Sequence, residues 1–115
     1  MRNILAGAAL LLGCALPVQA QEIAFTFDDL PAHSILPPGE SRLDVANSLI
    51  GTWRAEKMPP VYGFVNGIRI EQEPQSAAVL PAWRAAGFPL GNHTWSHMNL
   101  NQNSAADFDA DVARN

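Results

Sequence analysis

Residues 22–31 have the sequence EIAFTFDDLP, a short apolar run that ends in two adjacent carboxylates and a proline. Aromatic and β-branched residues over so short a run predict a buried strand at residues 22–27, with a loop beginning at Asp28. Neighbouring side chains on a strand point to opposite faces, so both carboxylates can serve one site only where the strand has ended. Parallel α/β folds build their sites at the carboxyl ends of strands.

Strands and helices alternate along the rest of the chain. A helix starts after Ser41, with Asp44 in the capping-box position, and ends before Pro59-Pro60. The later predicted elements are a strand at residues 61–65, a turn at Asn66-Gly67, a helix at residues 77–86 ended by Gly87, a strand at residues 88–91, and a helix capped by Ser104 with Asp107. This order predicts an α/β fold with a parallel sheet and helices packed outside it. Three strands are few for that architecture, and we expect the chain to be the N-terminal part of a longer protein.

The composition is that of one ordinary globular domain. The 115 residues are 48% hydrophobic and 16% charged, with a formal net charge of -4. A mildly acidic chain without a cluster of lysines and arginines is a poor partner for nucleic acid, so we expect none.

The first twenty residues have the pattern of a signal peptide. Arg2 precedes an apolar run that is too short to span a membrane, and small residues lead to Ala20. We therefore predict cleavage after Ala20, export to the periplasm or secretion, and a folded domain at residues 21–115. One alternative is a lipoprotein anchored through Cys14, and another is an N-terminal core helix.

A second group of ligand-type side chains lies at His93-Thr94-Trp95-Ser96-His97, directly after a predicted strand. Two histidines at i and i+4 share one face if the segment is helical, close enough to hold one metal. The HExxH zinc-peptidase motif is excluded, because Thr94 occupies the position of its glutamate. The two imidazoles and one of the two aspartate carboxylates can form a set of metal ligands that leaves coordination positions open for water and substrate. The other carboxylate can act as a base on a metal-bound water, which is equipment for hydrolysing an amide or ester.

Thr26-Phe27-Asp28-Asp29 and His93-Thr94-Trp95-Ser96-His97, the latter preceded by Gly91-Asn92, resemble the first two motifs of the polysaccharide deacetylases. This is the carbohydrate esterase family with the NodB homology domain. The resemblance covers essentially all of residues 21–115. It implies an α/β fold of the deacetylase type, a distorted (β/α) barrel of which this truncated chain supplies the N-terminal part.

The resemblance also implies roles for individual residues. Asp28 is similar to the catalytic base, while Asp29, His93 and His97 are similar to the ligands of a divalent metal. That metal is usually zinc, although cobalt, nickel and manganese are also accepted. Thr94 resembles the hydroxyl residue that supports the histidine loop. The implied reaction removes acetyl groups from an N- or O-acetylated oligo- or polysaccharide, by attack of a metal-bound water that Asp28 activates.

Two departures from the family pattern affect the substrate and the completeness of the site. Leu30-Pro31 replaces the usual Gly-Pro, which leaves open an amide hydrolase that acts on a non-sugar substrate. His33 on the same loop and Trp95 are further candidates for substrate binding or loop support. A non-catalytic metal- or sugar-binding protein is another alternative, although such a protein needs no base at Asp28.

The second departure is the absence of an Arg-x-Pro-Tyr segment, a later Asp/Trp segment and a Leu-x-His segment. The family takes its base-orienting arginine, part of its oxyanion hole and its acid histidine from these. We expect the remainder of the barrel to follow residue 115, and the 115 residues alone to be inactive.

Overall fold

The computed structural model describes residues 22–31 and 34–115. The predicted signal peptide at residues 1–20, the alternative lipid anchor at Cys14 and the candidate residue His33 lie outside the described residues, so they stay predictions. Over the two described ranges, no helix combines the length and the apolar character that a membrane crossing requires.

Three parallel strands form one sheet in the order β1, β2, β3. The strands are β1 (Thr26–Leu30), β2 (Tyr62–Val65) and β3 (Leu90–Asn92). The helices of the described chain are α1 (Arg42–Ala55), α2 (Ile68–Gln72), α3 (Val79–Ala85) and α4 (Ala105–Arg114), with 3₁₀ turns at Pro74–Ala78 and Leu100–Gln102. The predicted α/β fold with a parallel sheet is confirmed. The described residues form an open sheet and no closed barrel, so the barrel stays a prediction.

Helix α1 begins with the predicted capping box. The Ser41 hydroxyl accepts a hydrogen bond from the Asp44 amide at 3.2 Å, and the Asp44 carboxylate accepts one from the Ser41 amide at 2.9 Å. The Ser104 hydroxyl likewise accepts from the Asp107 amide at 3.1 Å and caps α4. Both caps satisfy amides that the first helical turn leaves without partners. The helices therefore begin where these residues predict.

The segment between β2 and β3 differs from its prediction. The predicted turn at Asn66-Gly67 opens helix α2, which is too short for an apolar period to reveal it. The predicted helix at residues 77–86 begins as the 3₁₀ turn Pro74–Ala78 and continues as α3. Pro81 lies in the first turn of α3, where its missing amide hydrogen costs no helical bond. Gly87 ends this helix with φ +85°, as predicted.

The core lies between the sheet and helices α1 and α3. Its buried hydrophobic residues are Leu30, Ala46, Ile50, Val61, Val79, Trp83 and Phe88. Trp83 is fully buried and makes edge-to-face contacts with Phe27 and Phe88. Trp53 packs against the same core and contacts Phe27. Both tryptophans therefore face the core. The helix-covered face thus holds β1 firmly, which fixes the position of the two aspartates.

Candidate metal centre

The two aspartates lie inside β1 at an irregularity of the strand. Phe27 pairs with Gly63 and Leu30 pairs with Val65, so β1 has one more residue than β2 between these pairs. The extra residue is a β-bulge, a feature that re-aims side chains and is common beside active sites. Asp29 has φ +62° at this point. The prediction of a buried strand at residues 22–27 is wrong at both ends: residues 22–25 lie outside β1 and are exposed, and at the aspartates the bulge, rather than a strand end, turns the chain.

The histidines lie on the loop that follows β3. Residues 93–98 form bends and extended backbone rather than a helix, with Thr94 at φ +65° and His97 at φ +60°. The segment is therefore not helical, and the i, i+4 geometry that a helix would have given does not apply. The imidazoles still meet, with ring centroids 4.9 Å apart at an interplanar angle of 83°. Two left-handed residues fold the loop back, and this places both rings at the carboxyl end of the sheet.

Asp29 and the two imidazoles converge on one point. Asp29 Oδ1 lies 3.6 Å from His93 Nε2 and 3.4 Å from His97 Nε2, and the ligand atoms of the three residues all lie within 4.8 Å of one another. Tetrahedral zinc with ligands at about 2.1 Å separates them by about 3.4 Å. Nitrogen and carboxylate donors also match the ligands that zinc prefers. The residues therefore fit a divalent metal without a change of backbone.

Each ligand is exposed to a different degree. The Asp29 side chain is 22% exposed, while those of His93 and His97 are 30% and 57% exposed. The carboxylate is thus held by the protein while one imidazole opens to solvent. The cluster is therefore most open to solvent on the side of His97.

Asp28 lies beside the ligand set and is exposed. Together with Asp29 it lines an open cavity of about 470 Å³ between the end of β1 and helix α1. Apolar residues make up most of the wall, including Ile35, Leu49 and Trp83. A second, smaller cavity of about 180 Å³ is lined by His93, Thr94, His97, Met98 and Phe108. Asp29 therefore stands at the larger cavity and the histidines at the smaller one.

Thr94 and Trp95 lie within the histidine loop and contact its supports. The Thr94 hydroxyl accepts a hydrogen bond from the Met98 amide at 3.0 Å, which closes the loop across its base. The Trp95 ring packs over Gly67 and holds the Arg114 guanidinium 4.3 Å from its centroid. These contacts turn Trp95 toward α2 and α4. Thr94, in contrast, lines the smaller cavity beside the imidazoles.

Asn66, which the sequence predicts only as part of a turn, supports the histidine loop. It is 1% exposed, and its side-chain amide donates to the carbonyl oxygens of His93 at 2.6 Å and Thr94 at 3.0 Å. A polar residue directly after an apolar strand, at the edge where the site lies, was the available signal. Asn66 ties the first half of the histidine loop to β2.

Asn92 and Asn115 continue this polar support. The Asn92 side chain accepts from the Thr94 amide and from the Asn115 side chain, both at 2.8 Å. Asn115 also donates to the Val65 carbonyl at 2.8 Å and accepts from the Gly67 amide at 2.7 Å. The loop therefore rests on hydrogen bonds made by asparagine side chains, and these replace regular pairing where the strand ends.

Asp111 on α4 is a second residue that supports the loop and that the sequence did not predict. It is 8% exposed and accepts two hydrogen bonds from Ser96. Burial by itself raises the pKa of this carboxyl, but the hydrogen bonds from the Ser96 amide and hydroxyl, with smaller contributions from the nearby Thr94 hydroxyl and Trp95 amide, outweigh burial and hold the pKa below its ordinary value of 3.8. The sequence does contain a signal for this buried contact: Asp111 is a charged residue three positions after Phe108, on the apolar face of the helix.

The fold and the site together define an α/β protein with an Asp-His-His set of metal-type ligands. A family model for polysaccharide deacetylase matches residues 15–115, and the chain therefore belongs to that family. The match begins before the described residues and includes both motifs. No curated protein and no solved structure matches the chain.

Membership of this family implies a hydrolase that acts on carbon–nitrogen bonds and has an acetylated carbohydrate as its substrate. The family is typically metal-dependent, and the Asp29, His93 and His97 cluster is a possible site for that metal.

Proposed function

We propose that this protein is a metal-dependent deacetylase that removes acetyl groups from N- or O-acetylated carbohydrate. The observation that carries the proposal is the convergence of Asp29, His93 and His97, whose ligand atoms lie within 4.8 Å of one another. These residues would hold one divalent cation, for which zinc suits the donors best and cobalt, nickel or manganese are alternatives. A bound cation supplies Lewis acidity: it lowers the pKa of water and polarises an acyl oxygen.

Asp28 is the base in this proposal. Its carboxylate is exposed and lines the same cavity as Asp29, but no metal needs it as a ligand. It can take a proton from the attacking water while its neighbour stays committed to the metal. The bulge supports this division of roles, because it lets adjacent residues serve one end of the sheet. Asp29 and Asp28 thus do different work although they are chemically identical.

The experiment measures acetate release by the full-length gene product from N-acetylated chitin oligosaccharides and from an O-acetylated oligosaccharide. The protein is stripped with a chelator and then supplied with zinc, cobalt, nickel or manganese. We expect activity only with metal. The preference for the N-acetylated or the O-acetylated substrate identifies whether the enzyme cleaves an amide or an ester bond. Release from small non-sugar acetamides alone would favour the amide hydrolase alternative. Stoichiometric zinc without release from any substrate would favour a binding protein.

Export is a separate part of the proposal. The sequence of residues 1–20 supports cleavage by signal peptidase and a periplasmic or secreted enzyme. N-terminal sequencing of the protein recovered from the expressing bacterium tests it. A first residue of Gln21 is the expected result. A lipid-modified Cys14 at the N-terminus would favour the lipoprotein alternative.

A further inference from the structure

Helix α4 contacts the histidine loop through one buried carboxylate. The Ser96 amide donates to Asp111 Oδ2 at 2.9 Å, and the Ser96 hydroxyl donates to Asp111 Oδ1 at 2.9 Å. The Trp95 amide also donates to the Asp111 main-chain carbonyl at 3.1 Å. One residue of α4 therefore receives three hydrogen bonds from two consecutive residues of the loop, and the next residue along the chain is His97.

The loop is held at two separate places. Asn66 binds the carbonyl oxygens of His93 and Thr94, so it fixes the half of the loop that leads from β3. Asp111 binds Trp95 and Ser96, so it fixes the half that leads to His97. His97 itself is 57% exposed and contributes little packing of its own. Its direction therefore depends on the residues immediately before it.

The backbone conformation makes such support necessary. Thr94 and His97 both lie in the left-handed region, at φ +65° and +60°. β-Branched residues such as Thr94 avoid this region most strongly. A loop with two left-handed residues persists only where several surrounding contacts hold it in that conformation. The contacts of Asp111 fall between these two residues. These contacts therefore hold the segment that joins the two left-handed residues.

We propose that Asp111 is a positioning residue that sets the direction of the His97 imidazole and thereby the metal affinity of the site. This inference rests on the proposed function, because it assumes that Asp29, His93 and His97 bind a metal. Asp111 touches none of the three ligand side chains in the contacts described above. It acts through the backbone and hydroxyl of Ser96, as outer partners of metal ligands commonly do.

The test is zinc affinity of the full chain, measured by competition with a chelator, together with the absorption spectrum of the cobalt form. We expect Asp111→Ala to weaken zinc binding by about 10–100-fold and to alter the cobalt bands. Asp111→Asn should recover part of the loss, because its amide oxygen can still accept from the Ser96 amide. Asp109→Ala is the matched control, since Asp109 is an exposed aspartate on the same helix. It should leave affinity and spectrum unchanged.

Ser96→Ala provides a second, milder variant in case Asp111→Ala does not fold. It removes one hydrogen bond at an exposed residue, and we expect about a tenfold loss of zinc affinity. Unchanged affinity and cobalt spectrum in a folded Asp111→Ala chain, or in Ser96→Ala if the former is unfolded, would overturn the inference. A lower melting temperature with unchanged metal binding would also overturn it, because Asp111 would then only anchor the helix. A parent chain that binds no zinc would instead overturn the proposed function.

Discussion

Asp29 and His97 bring their side chains together from two backbones that are both left-handed. The atoms Oδ1 and Nε2 are 3.4 Å apart, while φ is +62° at Asp29 and +60° at His97. Each such conformation costs about 1–3 kcal/mol for a residue other than glycine. Neither the bulge nor the loop is thus the locally preferred form of its sequence. The contact exists because the sheet holds one residue and the loop supports hold the other.

Loss of one imidazole should remove the metal, whereas loss of the base should not. We expect His97→Ala to abolish stoichiometric zinc, because only two ligands remain, and Asp28→Asn to keep it. Metal analysis of the purified variants beside the parent chain measures this. Equal zinc contents in the two variants would contradict the assignment of the ligands.

Asp28 should matter to the rate of reaction far more than to metal binding. A general base acts in the transition state, so Asp28→Asn should lower kcat by about 10²–10⁴. The assay is acetate release from an acetylated oligosaccharide by the full-length gene product at saturating zinc. Asp109→Asn changes the same chemical group at an exposed site and should keep the parent rate. Unchanged turnover in Asp28→Asn would remove its role as base.

Asp111 should make the fold sensitive to acid. Its hydrogen bonds hold the pKa of the folded state below 3.8, so the ionised form stabilises the fold above that value. The contribution is lost as the pH falls through the folded pKa. Asp111→Asn should therefore flatten the dependence of unfolding free energy on pH between about pH 5 and pH 2.

The measurement for this prediction is urea unfolding across that range. The Asp44 carboxyl, whose pKa is lowered by the Ser41 hydroxyl and then by the Ser41 amide, keeps some acid dependence in every variant. The deciding quantity is the difference between Asp111→Asn and the parent chain in the slope of unfolding free energy against pH. A variant with the parent slope would show that the Asp111 hydrogen bonds do not favour its ionised form.

Helices α1 and α3 end in the same motif with different residues. Lys57 and Gly87 both have positive φ, +54° and +85°, and the residue after each donates to a carbonyl five positions back. Lys57→Gly should raise the unfolding free energy by about 0.5–1 kcal/mol, because glycine adopts this conformation without strain. Gly87→Ala should lower it by about 1 kcal/mol.

The comparison isolates backbone strain. An added Cβ at Gly87 meets nothing within 4 Å, so no steric clash contributes there. Urea unfolding of the two variants and the parent chain measures the effects. A Gly87→Ala variant as stable as its parent would show that the left-handed conformation carries no cost here.

The sequence predicted those features that local interactions determine. Helix starts at Ser41 and Ser104 and the helix end at Gly87 depend on residues within one turn, and all three are confirmed. The parallel sheet followed from the alternation of strands and helices. The pairing of Asp29 with the histidines followed from the rule that strand ends meet at one edge, together with the family resemblance.

The features that failed depend on distant contacts. The bulge in β1 arises from pairing with β2, so no pattern within residues 22–31 reveals it. The histidine loop takes its bends from Asn66 and Asp111, which are 27 and 15 residues away in sequence from the groups that they bind. The spacing of four between the histidines is compatible with a helix, and nothing local in the sequence excludes one.

The bulge in β1 accommodates one extra residue and still keeps the two parts of the strand in phase. Phe27 and Leu30 are three residues apart, and a regular strand would send them to opposite faces. Both nevertheless pack beside Trp83, because the bulge adds half a period between them. Deleting either aspartate would remove the bulge and leave Phe27 and Leu30 two residues apart, so both could stay in the core of a regular strand. The remaining aspartate would then lie between them on the opposite face of the strand. The core therefore does not need the second carboxylate, and the bulge lets the strand carry it without disturbing the packing around Trp83.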